Sequence, residues 1–204
     1  MTKRLLVLLL FFAVHTARGQ EFPSELWHQG MLVLVSEDTL SGKIKYNLDQ
    51  DVVQIETVGK IYTYSSKKLF YFQIFDETVD TYREFYTLPY AKINEYQAPI
   101  IFEVLVEGKL TLLCRESITT KTVNDNNINP YGSSFSYSRD VLEYAYYFLD
   151  ESGKISPYSM KKRDLLSVLN KRADKINDYM RVNHLKADKR YDISRIISFY
   201  NGIL

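Results

Sequence analysis

Apolar and polar side chains alternate along most of this chain, from about residue 31 to about residue 149. The stretch TLSGKIKY at residues 39–46 shows the pattern clearly. Every second residue from Leu40 to Tyr46 lies on one side of an extended chain, and the other side carries Thr39, Ser41, Lys43 and Lys45. A repeat of two residues is the period of a β-strand, and one polar face is typical of antiparallel sheets. The pattern predicts a mainly β body.

Further strand signals recur at spacings near ten residues, and turn residues separate them. Val58 to Lys60 and Glu107 to Lys109 are two such turns. The predicted strands cover residues 31–35, 39–46, 51–57, 61–65, 69–75, 82–88, 99–107, 110–120 and 141–150. Short strands at such spacings indicate an antiparallel β-sandwich or a partly open barrel, and the sequence leaves that choice open.

After Ser156 and Pro157 the apolar period becomes helical. We expect about three short helices: one capped by Ser159 and ending near Asn170, one from about Asp174, and one capped by Asp192. The third carries apolar residues at helical spacing, namely Ile193, Ile196, Ile197 and Tyr200. Helices this short are marginal alone, so their apolar stripes must pack on each other or on the sheet. The predicted organisation is an antiparallel β domain at 20–154 and a basic helical C-terminal appendage at 155–204, packed on that domain.

The amino terminus has the pattern of a secretory signal peptide. Lys3 and Arg4 precede an apolar run from Leu5 to Val14, and Ala17 and Gly19 are small residues at the positions that a signal peptidase reads. The run is about half the length that a bilayer span requires. We therefore expect residues 1–19 to be removed on export, no transmembrane span, and a mature protein in the periplasm or at the cell surface. No cysteine lies near the cleavage point, so a lipoprotein anchor is not expected.

Charge is unevenly distributed between the two predicted parts. Residues 20–154 hold 12 Lys and Arg against 20 Asp and Glu, whereas residues 155–204 hold 11 against 5. The basic appendage either docks on an acidic β surface or makes a peripheral contact with an anionic membrane. Nucleic acid is not an expected partner, because an exported protein rarely meets it.

Motifs for catalysis are missing from the sequence. Cys114 is the only cysteine, which excludes an intramolecular disulfide and predicts a small buried hydrophobe. Once residues 1–19 are removed, His28 and His184 are the only histidines, and they match no metal-binding spacing. Neither a nucleophile elbow nor a phosphate-binding glycine loop is present. We predict no catalytic residue, no metal and no cofactor.

Two alternatives remain open for chemistry and contact. Glu84, Glu103 and Glu143 lie in predicted strands and would serve a carboxylate-based hydrolase if two of them faced each other. The segment Thr122 to Ser138 is rich in Asn, Ser and Gly, and it is long for a connection within a compact domain. The aromatic residues predicted to be exposed on it are the candidate binding residues, namely Tyr131, Phe135 and Tyr137.

Three stretches resemble a domain of unknown function found in uncharacterised exported proteins of Bacteroidetes-type bacteria. They are the hairpin from Asp38 to Tyr46, the segment from Tyr64 to Phe72, and the late pair Tyr200-Asn201. The resemblance implies export and this architecture, and it assigns no site. Our leading hypothesis is an exported, non-enzymatic binding or assembly module of the cell envelope, with an envelope protein or a glycan as partner. The alternatives are a β protein that binds a small glycan or lipid, and the hydrolase described above.

Overall fold

The computed structural model describes residues 21–91, 96–125 and 135–204. A short 3-10 turn at Pro23–Glu25 precedes ten strands, and three helices follow them. The strands are β1 (His28–Leu34), β2 (Thr39–Asn47), β3 (Val52–Thr57), β4 (Lys60–Ser65), β5 (Leu69–Asp76), β6 (Thr81–Ala91), β7 (Gln97–Val106), β8 (Leu110–Asp125), β9 (Phe135–Asp150) and β10 (Ile155–Tyr158). The helices are α1 (Lys162–Val168), α2 (Ala173–Val182) and α3 (Arg190–Gly202).

All ten strands belong to one antiparallel sheet that does not close on itself. Their order is β10-β9-β8-β7-β6-β5-β1-β2-β3-β4, so β4 and β10 are the two edges. The prediction of a mainly β, antiparallel fold with three C-terminal helices is confirmed.

Strand β10 shifts one predicted boundary, because Ile155–Tyr158 belongs to the sheet and not to the helical appendage. Asp150 builds the turn that leads into it, since its Oδ1 accepts the backbone N–H groups of Ser152 at 2.9 Å and Lys154 at 3.1 Å. That turn returns the chain beside β9, with Ile155 opposite Leu149. The helical part of the chain therefore begins at Lys162, four residues after the last strand ends at Tyr158, and not at Ser156.

The predicted loop at residues 122–138 is shorter than expected. Strands β8 and β9 continue into it and pair from Thr122 opposite Ser138 to Asp125 opposite Phe135. Thr122 and Val123 begin this segment, and β-branched side chains favour strands. The abundance of Asn, Ser and Gly concealed that preference in the sequence.

Two predicted helix caps are also wrong. Lys161, not Ser159, precedes the first helical residue, and the Ser159 hydroxyl donates to the Asp164 carboxylate instead. Helix α3 begins at Arg190, so Asp192 lies in its first turn and accepts the backbone N–H of Lys186 at 2.9 Å. The apolar stripe predicted for this helix is buried at all four positions.

The sheet curls strongly enough for distant strands to meet. Strands β2 and β8 are five steps apart in the sheet, which would separate them by about 24 Å if the sheet were flat. Nevertheless the Tyr46 hydroxyl on β2 donates to Glu116 on β8 at 2.5 Å. Asp51, after β2, likewise accepts the backbone N–H of Ile101 on β7 at 3.0 Å. The concave face of the sheet is therefore enclosed.

Glycines permit close approach at the centre of this curl. Gly30 on β1 lies opposite Gly42 on β2. A Cβ atom on Gly30 would lie 2.2 Å from the carbonyl oxygen of Gln73, and one on Gly42 would lie 2.1 Å from that of Glu56. Only glycine fits where neighbouring backbone comes this near.

Apolar side chains form two large clusters. The strand core lies between β1, β2, β3, β5, β6 and β7 and contains Leu32, Ile44, Tyr46, Leu48, Val53, Ile55, Leu69, Phe72, Ile74, Phe85 and Ile101. The helix core joins β8, β9 and β10 to the three helices. Phe72 and Phe85 stack in the strand core with ring centroids 4.3 Å apart. The helix core includes Cys114, which is fully buried as predicted.

Candidate functional site

A buried ionic cluster lies near the middle of the concave face, and Arg83 on β6 is its centre. The five guanidinium N–H groups of Arg83 all have acceptors. They are Glu103 Oε1 at 2.9 Å and Oε2 at 2.8 Å, Glu116 Oε2 at 2.9 Å, Asp76 Oδ2 at 3.0 Å, and the Tyr46 hydroxyl oxygen at 2.8 Å. Because the fork is fully paired, it links β2, β5, β6, β7 and β8.

Strand periodicity places these groups together. Arg83 shares a face with Phe85, and Glu103 on β7 lies opposite Phe85 in the register. Glu116 on β8 shares a face with Cys114, which is paired with Glu103. Arg83, Glu103 and Glu116 are therefore charged residues at positions where the strand alternation predicts apolar side chains.

Arg190 brings helix α3 into the same cluster. Its Nη2 donates to Glu103 Oε1, and its Nη1 lies 3.4 Å from Cys114 Sγ. Its guanidinium carbon lies 5.2 Å from the centroid of the Tyr144 ring, which is a cation–π contact. The side chain of Arg190 is 30% exposed, whereas that of Glu103 is 3% exposed. Arg190 therefore covers the solvent side of a buried carboxylate.

Electrostatics in the cluster favour ionised carboxylates. Burial alone would raise the pKa of Glu103, but the hydrogen bonds and charges of Arg83 and Arg190 outweigh it and hold that pKa below the ordinary value of 4.5. Burial also opposes ionisation of Asp76, whose pKa is lowered below 3.8 by hydrogen bonds from Thr78 and Arg83. Burial raises the pKa of Tyr46 well above 10.0. The hydroxyl of Tyr46 is therefore protonated at neutral pH and can donate to Glu116.

We expect the free energy of unfolding to decrease as the pH falls below about 5. Glu103 and Asp76 have lowered pKa values in the folded state, so the unfolded chain binds protons first and acid favours unfolding. Their stabilisation is complete above the ordinary pKa values and is lost as the pH falls through the folded ones. Urea unfolding from about pH 3 to pH 7 measures the slope. Glu103→Gln should reduce that slope, and constant stability over this range would contradict the assignment.

The cluster is sealed against substrates within the described part of the chain. Arg83 is 6% exposed, Glu116 is 4% exposed and Glu103 is 2% exposed. Each carboxylate already accepts from a guanidinium, so none is poised as a free base. These ion pairs hold the curled sheet and helix α3 in one geometry. The cluster itself offers no binding surface.

Edge strand β4 is an exposed part of the sheet. Among the described residues it pairs only with β3, and five of its six residues are exposed. Ile61 is 59% exposed and Tyr62 is 43% exposed. A free edge presents unpaired backbone N–H and C=O groups to any chain that can add a strand.

The opposite edge, β10, has the protection that β4 lacks. It is four residues long and contains Pro157, which cannot donate a backbone hydrogen bond. Short strands and proline are common means of blocking an edge. Of the two edge strands, β4 is therefore the one without such protection.

The turn beside β4 holds an unfavourable residue. Val58 has φ 50°, in the left-handed region, and it is 97% exposed. With Gly59 at φ 71° it forms the two-residue connection between β3 and β4, a position that usually carries Asn or Gly. A β-branched residue is strained there and gains nothing from burial. Strained backbone conformations cluster at active sites, ligand clamps and switch regions.

Val58→Asn is expected to raise the free energy of unfolding by about 1 kcal/mol. Asn adopts the left-handed conformation more easily than valine, and no packing is lost at a position this exposed. Chemical denaturation compares the variant with the parent, and Val35→Asn is the control because Val35 is also exposed, at 64%, without a positive φ. Unchanged or lower stability of V58N would show that the turn is not strained.

A groove of about 680 Å³ lies beside the other edge strand, β10. Phe148, Tyr158 and Tyr200, all buried by at least nine-tenths, form part of its wall. Charged residues surround them, namely Lys109, Asp150, Glu151, Lys154, Asp164, Lys171 and Arg172. The volume of this groove lies within the range of small-molecule sites.

The binding residues predicted from sequence are only partly described. Tyr131 lies outside the described residues. Phe135 is the first residue of β9, and its side chain also lies outside them. Tyr137 lies in β9 opposite Val123, and it is 53% exposed. The structure places Tyr137 on the ribbon of β8 and β9, not in a loop.

The three glutamates considered for hydrolysis do not converge. Glu103 lies in the buried cluster. Glu84 points to the opposite face of the sheet, where it accepts a hydrogen bond from Gln73 Nε2 at 3.0 Å. Glu143 forms an ion pair with Lys121 at 2.5 Å on the exposed ribbon of β8 and β9. No two of them face each other across a cleft. The hydrolase hypothesis required two of these glutamates to face each other, and they do not.

Within residues 21–91, 96–125 and 135–204, no group of three or more His, Cys, Asp or Glu side chains is arranged to hold a metal ion. None of the helices there has the length and apolarity of a membrane span.

Comparisons of the chain with protein-family models, with curated proteins and with solved structures each found no match. The resemblance to exported proteins of Bacteroidetes-type bacteria therefore stays a prediction from sequence.

Proposed function

We propose that this chain is an exported, non-enzymatic binding or assembly module of the cell envelope, and that it contacts a protein partner through edge strand β4. The free edge carries the proposal, because β4 combines exposed backbone groups with the exposed side chains of Ile61 and Tyr62. The leader pattern at residues 1–19 supports export. The full pairing of the buried cluster supports a scaffold role for its charged residues.

Photo-crosslinking in cells tests this function. A photoreactive phenylalanine analogue at Ile61 should give one discrete adduct after irradiation of cells that export the chain with its own leader. The same analogue at Tyr191, which is 73% exposed on α3, is the control and should not give that adduct. Absence of an adduct at position 61, or the same adducts from both positions, would count against β4 as the partner surface.

The same preparation tests export. Mass spectrometry of the protein from the cell envelope should show a mature amino terminus at Gln20. A chain that remains in the cytoplasm with residues 1–19 attached would contradict the envelope location.

Small-ligand binding is the second candidate, and the groove beside β10 favours it. Its aromatic wall could stack on a sugar or contact an acyl chain, while the lysines at its rim could bind an anionic group. Thermal unfolding in the presence of glycans and anionic lipids should show a raised midpoint if the groove binds either class. Leu110 lies in the wall, and a Leu110→Trp variant should abolish that shift by filling the space. A flat response across the panel would remove this candidate.

A further inference from the structure

We propose that the β4 edge binds an acidic polypeptide segment in extended conformation, which joins the sheet as a further strand beside β4. This inference rests on the proposed function and names the chemistry of its partner. Three features of β4 and its flanks support it: the direction of the backbone groups, the charge of the neighbouring side chains, and the pattern of exposed side chains.

The register of the β3–β4 hairpin shows which backbone groups are free. Thr57 and Lys60 flank the two-residue turn, so they form a hydrogen-bonded pair, and the pairs then alternate along the ladder. Tyr62, opposite Ile55, therefore bonds to β3. Ile61 and Thr63 direct their N–H and C=O groups away from β3, toward the open edge. These are the groups that an added strand would use.

Charge determines what kind of strand fits. Residues 59–69 contain Lys60, Lys67 and Lys68 and no Asp or Glu, and all three lysines are exposed. None of the three forms an ion pair with another residue that the structure describes. An approaching segment with carboxylates at its ends would meet uncompensated positive charge at both ends of β4, which speeds and orients association.

The same charges disfavour a second copy of this chain. In antiparallel pairing of β4 with itself, each copy brings three lysines and no acid to the contact, and like charges in close pairing are destabilising. Lysine is also a common residue for preventing edge-to-edge association of identical sheets. An acidic partner is attracted where a second copy is repelled.

Side-chain pattern completes the description of the partner. Tyr62 and Tyr64 lie on the concave face of β4, because their partners Ile55 and Val53 are in the strand core, whereas Ile61 and Thr63 lie on the outer face. Cross-strand neighbours on both faces would thus contact aromatic or β-branched side chains. A segment with β-branched residues at its centre and Asp or Glu at its ends fits this edge.

Thr63→Pro tests strand addition directly. Proline removes an N–H group that points to the open edge and takes no part in the β3–β4 ladder, so the hairpin should keep its pairing. Thr63→Val is the matched control, because it removes the hydroxyl and keeps the N–H. The probe is a labelled ten-residue peptide, Glu-Glu-Val-Thr-Val-Thr-Val-Thr-Glu-Glu, and a second probe carries Lys in place of each Glu. Fluorescence anisotropy measures the binding of each peptide to the mature protein.

We expect saturable binding of the acidic probe, weakened at least about tenfold by T63P and less than about twofold by T63V. Added salt should weaken it, and the lysine probe should not bind. If T63P fails to fold, the triple variant Lys60→Glu, Lys67→Glu and Lys68→Glu should instead invert the preference between the probes. No binding of the acidic probe, equal binding by T63P, or no inversion in the triple variant would overturn the inference.

The crosslinking experiment separates this inference from the proposed function. A partner adduct at Ile61 that persists in T63P would keep β4 as the contact surface and reject strand addition. An adduct between two copies of this chain would reject an acidic partner. Loss of the adduct in T63P but not in T63V would support strand addition in the cell.

Discussion

Arg83→Met is expected to lower the free energy of unfolding by about 3–5 kcal/mol. The substitution leaves Glu103, Glu116 and Asp76 in a buried region without the guanidinium that pairs with all three. The cost comes from the uncompensated carboxylates more than from the lost attraction, because desolvated charge is unfavourable when it lacks a partner. Arg190 contacts only Glu103 among these carboxylates and cannot replace Arg83.

Urea unfolding at neutral pH measures this effect. Lys121→Met is the matched control, since it removes one partner of an ion pair whose side chains are 57% and 44% exposed, and it should leave stability nearly unchanged. A second variant that combines Arg83→Met with Glu103→Gln and Glu116→Gln should recover part of the loss. If R83M changes stability no more than K121M does, the cluster does not hold the curled sheet together.

Ile197→Ala should lower the free energy of unfolding by about 2–5 kcal/mol. Ile197 is fully buried in the helix core, where α3 packs against β7 and β8. Truncation leaves a cavity under a helix that has too few turns to be stable alone. The effect should appear as an earlier unfolding of the whole chain, because the helix core includes strand residues such as Leu112 and Cys114.

Ser198→Ala is the control for Ile197, because it is the next residue on the same helix and it is exposed. It should change stability little, since alanine favours helix and the Ser198 side chain is exposed. Far-ultraviolet circular dichroism and tyrosine fluorescence during unfolding should give coincident transitions for I197A. A helical transition well before the sheet unfolds would show that the appendage is a separate unit.

Local patterns were sufficient to predict most secondary structure. The alternation at residues 39–46 predicted β2, and the apolar spacing from Ile193 to Tyr200 predicted α3, because each pattern depends on neighbours within a few residues. The predicted strand boundaries failed mainly at Ile155 and after Thr120. In both places turn-forming residues lie beside strand residues, and pairing within a hairpin of consecutive strands decided the outcome.

The candidate surfaces depend on strand order, which one sequence does not contain. Nothing local shows that β4 is an edge, since its sequence resembles that of interior strands. The Arg83 cluster had a clearer signal, because Arg83, Glu103 and Glu116 occupy positions where the alternation predicts buried apolar residues. Positive and negative residues at positions expected to be buried indicate a buried ion pair. The sequence alone does not show which of these residues contact each other, because that depends on the curl of the sheet.

Amide hydrogen exchange along β4, measured residue by residue by NMR on the mature protein, is the most direct test that this edge is open. We predict rapid exchange of the Ile61 and Thr63 amides and slow exchange of the Tyr62 and Tyr64 amides, which bond to β3. Addition of the acidic probe should slow exchange at Ile61 and Thr63. Equal protection of all four amides in the free protein would show that the edge is already covered and would contradict a binding role for β4.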